Sequence, residues 1–423
     1  MREIEVSSPD QLSIRQLGAL VRRLEERSGE EFVHFEIGVP GLPPSKVGVE
    51  AHKAALDGGV SAVYPPIEGV RELKDESSRF IEAFIGTHIS PEGCIPTVGS
   101  MQGAFASLMI CAALSPERDT ILYIDPGFSV QKTQADVLGI RREAFDVADY
   151  RAEKLGPKLE SYLRKGNIAA ILYSNPNNPT WMCLSDDELR TIGELATRYD
   201  TVVIEDLAYV TMDFRRDLGH PFQKPYQVSV TNYTDNYIVL LSASKIFSYA
   251  GERIAVACIS DALFGRHFPN LEHRFGLSKF GGVFVHRLIY TLSSGVSHSA
   301  QLALAAMFRA STDGTYRFID DIREYAHRTE RLKEILRCNG FTVVYDKDND
   351  EPVSDGFFFT MGYPGLSGKE LLAELLKYGV SGIVLSTTGA CREGIRACSS
   401  AIKERHYAML DQRLKAFNRA HKR

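Results

Sequence analysis

Between Cys94 and Ile259 the sequence repeats one pattern that leaves few folds open. Short apolar runs at Thr120–Ile124, Ile168–Tyr173, Thr201–Ile204, Tyr237–Leu241 and Ile254–Ile259 are separated, for the most part, by helical patterns such as Gln102–Leu114 and Ser185–Tyr199. The runs are rich in β-branched residues and apolar on both faces. Strands of that kind belong in a mostly parallel sheet, because each crossover helix returns over a face of the sheet and buries it. The helix expected over Ser185–Tyr199 starts with Ser185 as N-cap and Asp186, Asp187 and Glu188 in its first turn, where the helix dipole favours negative charge. The expected fold class is α/β: a large domain with a mostly parallel central sheet covered by helices, plus a smaller α+β domain.

The flanks supply the second part. Ser8-Pro9-Asp10-Gln11 reads as a helix start, followed by Leu17, Leu20, Val21 and Leu24 at helical spacing, with Gly29 as the stop. A Pro/Gly-rich loop, Gly38-Val-Pro-Gly-Leu-Pro-Pro44, comes next. Beyond the alternating region, Gln301–Phe308 and Tyr316–Cys338 read as helices. Thr342–Tyr345, Gly356–Met361 and Gly382–Leu385 read as short strands, Lys369–Tyr378 as a helix, and the stretch after Ala401 as a closing helix. The expected division is residues 46–309 as the large domain, with 1–45 and 310–423 forming an N-terminal arm and small domain. Phe264–Val296 shows no clear period.

Composition narrows the function classes. The chain has 423 residues, 44% of them hydrophobic, and a formal net charge of −5 without a long basic run. That argues against nucleic acid or an anionic membrane as partner. No apolar stretch reaches the ~18 residues of a membrane span, and Met1-Arg-Glu-Ile-Glu5 has no apolar leader core. Seven scattered cysteines without a CxxC pair suit reduced thiols in the cytoplasm. Asp346-Lys-Asp-Asn-Asp350 has the alternating acids of a calcium loop but lacks its central glycine and final glutamate, so it reads as a solvated turn. The histidines form no HExxH pattern, and no metal is expected.

In an open parallel sheet, ligands bind at the carboxyl ends of the strands. The residues just past four of the runs are Asp125-Pro-Gly-Phe128, Asn175-Pro-Asn-Asn-Pro-Thr180, Asp206-Leu-Ala-Tyr209 and Ser242-Ala-Ser-Lys245, with Arg253 eight residues after the lysine. Singly each has an ordinary reading: a turn, a helix cap, a solvated charge. Together they set a lysine, an aspartate, a tyrosine, an asparagine and an anion-binding arginine around one crevice. An aldehyde cofactor with a phosphate tail and a pyridine ring needs that set, and pyridoxal 5′-phosphate (PLP) is such a cofactor.

In these segments, and in Gly394-Ile-Arg396, the chain resembles the class I/II aminotransferases, PLP-dependent enzymes of fold type I. The resemblance runs from about residue 30 to residue 400 and implies a role for each residue. Lys245 would hold the cofactor covalently and move the substrate α-proton. Asp206 would pair with the pyridine nitrogen, and Tyr209 and Asn178 would hydrogen-bond the phenolic oxygen. Phe128 would stack on the ring. Ser242, Arg253 and the backbone amides of Ser100 and Met101 would hold the phosphate at a helix start. Tyr64 would reach the phosphate of a neighbouring subunit's cofactor, which implies a homodimer. Arg396, with Gly38 and Asn178, would bind the substrate, the arginine gripping its α-carboxylate as a fork.

The implied function is transfer of an amino group from an amino acid to a 2-oxo acid. The same residues would serve a β-lyase acting on a sulfur amino acid, or a related eliminase. They would also serve a PLP-binding regulator that does not turn over, although such proteins carry a DNA-binding domain ahead of this fold. Three positions depart from the family pattern. Trp181 stands where a glycine usually ends the asparagine motif, and a bulky residue there is expected to narrow the pocket or shift the loop. Leu207 replaces a common acidic residue. Gln131 stands where tyrosine is frequent and is expected to alter the substrate pocket.

Overall fold

Seven strands build the central sheet of this computed structural model, which describes residue 12 and residues 14–422. In spatial order they are Cys94–Val98, Ile254–Ile259, Tyr237–Ser242, Val202–Asp206, Ile168–Ser174, Thr120–Asp125 and Arg141–Asp146. Ile254–Ile259 runs antiparallel to both of its neighbours, and every other pairing is parallel. The fully buried strands owe that state to helices on both faces. Alternate residues feed two separate cores: Leu122, Ile124, Val203, Val239 and Leu241 on one face, and Ile121, Tyr123, Ile204, Ile238 and Leu240 on the other. This is the period-two consequence of the pleat. The first face packs under the helices Arg71–Ile85, Asp186–Arg198 and His298–Thr312, the second under Gly99–Cys111.

The five expected strands are present; four of them run one or two residues further at the C-terminal end, and the strand expected from Thr201 begins at Val202. The two not expected are the edges. Arg141–Asp146 starts with exposed polar residues, and Cys94–Val98 carries Pro96, which only an edge strand accommodates. Ser185 caps Asp186–Arg198 through a reciprocal capping box with Glu188. Phe264–Val296 resolves into short turns of helix, Pro269–Phe275, Phe280–Val283, a π-helical stretch Phe284–Ile289, and Tyr290–Ser293. No single helical period runs through them, which is why the sequence pattern was silent there.

A four-stranded antiparallel sheet lies towards the C-terminus, in the order Ile383–Val384, Ile395–Cys398, Phe358–Gly362, Thr342–Val343. Its helices are Glu324–Cys338, Gly368–Lys377 and Glu404–His421, and Leu17 and Val21 of the helix Ile14–Ser28 enter the same core. Val33–His34 pairs in parallel with Val380–Ser381. The helix start expected at Ser8–Gln11 lies outside the described residues. Two expectations are corrected. Tyr316–Cys338 is not one helix but two, Phe318–Ile322 and Glu324–Cys338. Asp346–Asp350 is a largely exposed hairpin turn, but Asp348 within it is not solvated: Lys347–Asp348 pairs with Glu351–Pro352, and Asp348 is buried against Arg151 at 2.6 Å and Arg215 at 2.8 Å.

Candidate active site

Strand Tyr237–Ser242 ends where the Ser242 hydroxyl accepts the Ser244 amide at 3.2 Å and caps the single turn Ala243–Ile246. That turn carries Lys245. Its Nζ donates to the Gly38 carbonyl and lies 4.7 Å from the centroid of the Phe357 ring. Burial, aided by the charges of Arg396 and Arg253 and opposed by Cys398, pushes the lysine down to about 8. An amine in that range is available both as a nucleophile and as a proton carrier near neutral pH.

One strand over, Val202–Asp206 ends at Asp206, in register with Leu240. The carboxylate is buried. Its Oδ1 accepts the Ala208 amide at 3.1 Å and its Oδ2 accepts Nε2 of Gln131 at 2.8 Å. Burial raises its pKa to about 6 against the pull of those two bonds. Gln131, which stands where tyrosine is frequent, holds Asp206. Tyr209 follows in the same loop. Its ring packs on Trp181 at 5.2 Å and on Phe357 and Phe358 at 5.7 Å each.

The asparagine segment after Ile168–Ser174 is fastened from within. Asn177 donates to the Pro126 carbonyl at 2.8 Å and accepts the Thr180 hydroxyl at 2.8 Å, while Asn175 accepts the Leu184 amide at 3.1 Å. Asn178 is buried, its amide on the Ser174 hydroxyl at 3.1 Å. Trp181 has φ of +66°, a region where glycine is favoured, yet its side chain is 0% exposed.

The start of Gly99–Cys111 has the geometry that suits an anion. Gly99 has φ of +65°, donates to the Arg253 carbonyl at 2.9 Å, and would place a Cβ 2.4 Å from the Arg253 guanidinium. Arg253 thus lies directly on the helix N-terminus, beside the first-turn residues Ser100 and Met101. Helix dipole, first-turn amides and guanidinium all favour a phosphate. Phe128 is half-buried and stands at the start of Ser129–Leu138.

Arg396 lies in Ile395–Cys398, paired with Thr360 on one side and Ile383 on the other. Its guanidinium is buried, sits 4.6 Å from the Phe358 ring centroid, and donates one hydrogen bond to the Glu36 carbonyl at 2.8 Å. Its Nε is buried with no hydrogen-bond partner. Burial depresses its pKa. Gly38 joins the two basic groups: its carbonyl takes Lys245, and a Cβ on it would stand 4.0 Å from Arg396. A buried guanidinium so placed suits a carboxylate.

Tyr64 stands apart. It is 87% exposed, on a segment that faces Ser293–Ser299 across a cavity of about 580 Å³. The motif reading missed Gln131 as the partner of Asp206, and it missed Phe357 and Phe358. The run Phe357-Phe358-Phe359 was legible as strand, but which ring faces the site depends on the pairing with Ile395–Cys398. Among the described residues no group of three acidic, histidine or cysteine side chains could hold a metal.

Lys245, the buried Asp206, the helix start at Gly99 with Arg253, and the buried Arg396 lie on the segments where the sequence led one to expect a PLP site. The family described as aminotransferase class I and II matches residues 30–414. The chain belongs to that family, and it is a PLP-dependent enzyme that moves the amino group of an amino acid to a 2-oxo acid. Among its relatives, a probable aspartate aminotransferase of Methanocaldococcus jannaschii is 24% identical over 75% of this chain and 78% of its own length. An LL-diaminopimelate aminotransferase of Natranaerobius thermophilus is 25% identical over 76% of each. The fold matches that of an alanine aminotransferase from Pyrococcus furiosus, with a TM-score of 0.76 at 19% identity, covering 99% of this chain and 100% of the other. It also matches aspartate aminotransferase from Thermus thermophilus with maleate, with a TM-score of 0.74 at 19% identity over 96% of each chain. Neither the lyase nor the regulator reading finds support among these relatives.

Proposed function

We propose that Lys245, Asp206 and Tyr209 are the catalytic residues of an α-amino acid aminotransferase whose specificity begins at Arg396. The carrying observation is the buried Arg396 guanidinium, with an unpartnered Nε, beside the carbonyl that holds Lys245. An α-carboxylate seated on that fork brings the α-carbon to the side of the site where Lys245 stands. Nζ of Lys245, with its pKa pushed down to about 8, takes and returns the α-proton. Ser242, Arg253 and the Ser100 and Met101 amides hold the phosphate, and Phe128 covers the ring. Asn178 and Tyr209 hold the phenolic oxygen, and Asn178 and Gly38 complete the substrate side. Asp206 holds a proton on the pyridine nitrogen, a cation that reverses the burial cost of its own charge. Bound there, PLP supplies an electron sink for charge developing at the substrate α-carbon.

The active assembly in this reading is a homodimer. Val63, Tyr64, Tyr290 and Leu292 are large exposed apolar side chains on or beside the segments that flank the 580 Å³ cavity, a surface suited to a second copy. Tyr64 reaches the partner's phosphate from that surface. The division into 46–309 and 1–45 with 310–423 is supported by the joint core of residues 17–35 and 332–417, although Phe318, Ile319, Ile322 and Tyr325 pack into the large-domain core. A cytoplasmic location is supported by seven free thiols; among the described residues no helix is long and apolar enough to cross a membrane.

The test is a panel of amino donors against 2-oxoglutarate and pyruvate with the PLP-loaded protein. Conversion of bound PLP to its amino form by a single donor is expected. Release of pyruvate and ammonia without an acceptor would overturn it in favour of a lyase. Borohydride reduction is expected to fix the cofactor on Lys245, and labelling elsewhere removes that residue from its role.

A further inference from the structure

Trp181 occupies a place in the backbone made for glycine and a space made by another glycine. Its φ of +66° lies in the left-handed region, which disfavours a bulky side chain, so packing must hold it there. The packing is at Gly356, where a Cβ would fall 2.1 Å from Cε2 of the indole and 2.2 Å from its Nε1. Gly356 is itself fixed, its carbonyl accepting the hydroxyls of Thr329 at 2.5 Å and Ser399 at 2.9 Å. The indole thus lies flush on the backbone just before Phe357 and Phe358. It meets the Tyr209 ring at 66° and 5.2 Å and the Phe358 ring at 69° and 6.3 Å, both edge-on. Phe358 in turn packs on Phe357 at 4.9 Å and carries the Arg396 guanidinium at 4.6 Å.

We propose that Trp181 is a positioning residue: its indole, seated over Gly356, fixes the ring of Tyr209 and, through Phe358, the guanidinium of Arg396. The proposal rests on the roles given above to Tyr209 and Arg396. Edge-on aromatic contacts are directional, so a ring held by two of them sets the angle of its neighbours as well as filling space. One side chain thereby couples the group that meets the cofactor's phenolic oxygen to the group that meets the substrate carboxylate. The indole meets the first directly and the second only through Phe358.

The experiment compares Trp181→Phe, Trp181→Gly, Gly356→Ala, Tyr209→Phe and Arg396→Ala, each as PLP-loaded protein. Two quantities are read: the midpoint of the visible absorbance band in a pH titration, and KM against kcat for an amino donor. Trp181→Gly suits the left-handed backbone but opens a large cavity. Trp181→Phe retains a ring, and Gly356→Ala displaces the indole without removing it, so the comparison survives if the glycine variant does not fold. Trp181→Phe and Gly356→Ala are expected to move the absorbance midpoint in the direction that Tyr209→Phe moves it, and to raise KM by up to about tenfold, the scale of one well-placed aromatic contact misaligned. A mere loss of stability moves neither in folded protein. If the Trp181 and Gly356 variants keep the native midpoint and KM while Tyr209→Phe shifts the first and Arg396→Ala the second, the coupling is refuted and the site stands. If Tyr209→Phe and Arg396→Ala themselves shift nothing, the site assignment fails and this inference with it.

Discussion

Gln131 donates Nε2 to Oδ2 of Asp206 at 2.8 Å, and this side-chain bond is what steadies a carboxylate buried at the end of a central strand. Burial raises the acid from its ordinary 3.8 to about 6, and the Gln131 bond pulls the other way. Removing the bond raises the pKa further. PLP needs the ionised form opposite its pyridine nitrogen, so its affinity is expected to fall as pH drops through about 6 in the native chain. In Gln131→Leu that loss sets in at a higher pH, with about a tenfold weaker affinity at neutral pH, the low end of a hydrogen bond to a charged group. Titration of PLP into apo protein across pH checks this. The sign for stability is opposite. A carboxylate whose folded pKa is raised binds protons that the unfolded chain has released, so apo stability from this group declines as pH climbs from about 3.8 to about 6. Asp206→Asn is expected to unfold no more easily than the native apo protein at pH 8, while losing turnover.

Arg396→Ala removes the fork from a buried site. Loss of one member of a buried charge pair costs about 2–5 kcal/mol, or roughly thirty- to several-thousand-fold in kcat/KM toward α-amino acids. PLP is expected to stay bound with its native absorbance, because Arg253 and the start of Gly99–Cys111 carry the phosphate independently. Steady-state kinetics and an absorbance spectrum settle it; native kinetics would remove Arg396 from the site.

Gly99→Ala meets two obstacles at once. The backbone has φ of +65°, and the new methyl would lie 2.4 Å from the Arg253 guanidinium. The arginine has to leave the helix start. The expected result is a PLP affinity lowered by about tenfold or more, since a cation and helix N-terminus acting together are worth over ~1.4 kcal/mol to a phosphate. A dissociation constant equal to that of the native chain would mean that the phosphate is held elsewhere.

Asp348→Asn tests the joint that anchors the asparagine segment. The carboxylate accepts from Arg151 at 2.6 Å, from Arg215 at 2.8 Å and from the Cys183 amide at 2.9 Å, all buried or half-buried. It fastens the hairpin Lys347–Pro352 to the loop that ends the asparagine motif. Breaking a buried ion pair by removing one partner costs about 3–5 kcal/mol. Because Glu188 and Asp213 still partner the two arginines, the lower figure is expected. Urea unfolding monitored by far-ultraviolet dichroism measures it, and an unchanged midpoint would show that the network contributes nothing net.

Much of this protein could be read from local pattern. The runs ending at Ile124, Tyr173, Ile204 and Leu241 announced a helix-covered parallel sheet, because a strand buried on both faces has no polar alternation. The motif residues after them announced the crevice, because parallel strands must present their carboxyl ends together. The edge strands were hidden by polar residues and by Pro96, and the Phe264–Val296 turns by the absence of any single period. Asp348 looked like one acid of a solvated turn. Nothing in Asp346–Asp350 itself could say that Arg151 and Arg215, some two hundred and some one hundred thirty residues earlier, would close over it.

The sequence by itself determined the strands, helix starts and turns and the strand ends on which the candidate residues stand, since strand period, helix start and turn composition are local properties. Tertiary structure alone decided what holds them: Gln131 on Asp206, Gly38 on Lys245, Phe358 under Arg396, and the indole of Trp181 in the gap over Gly356. Those contacts join segments far apart in the chain. Their geometry follows from how two sheets and their helices pack, which no single stretch of residues encodes.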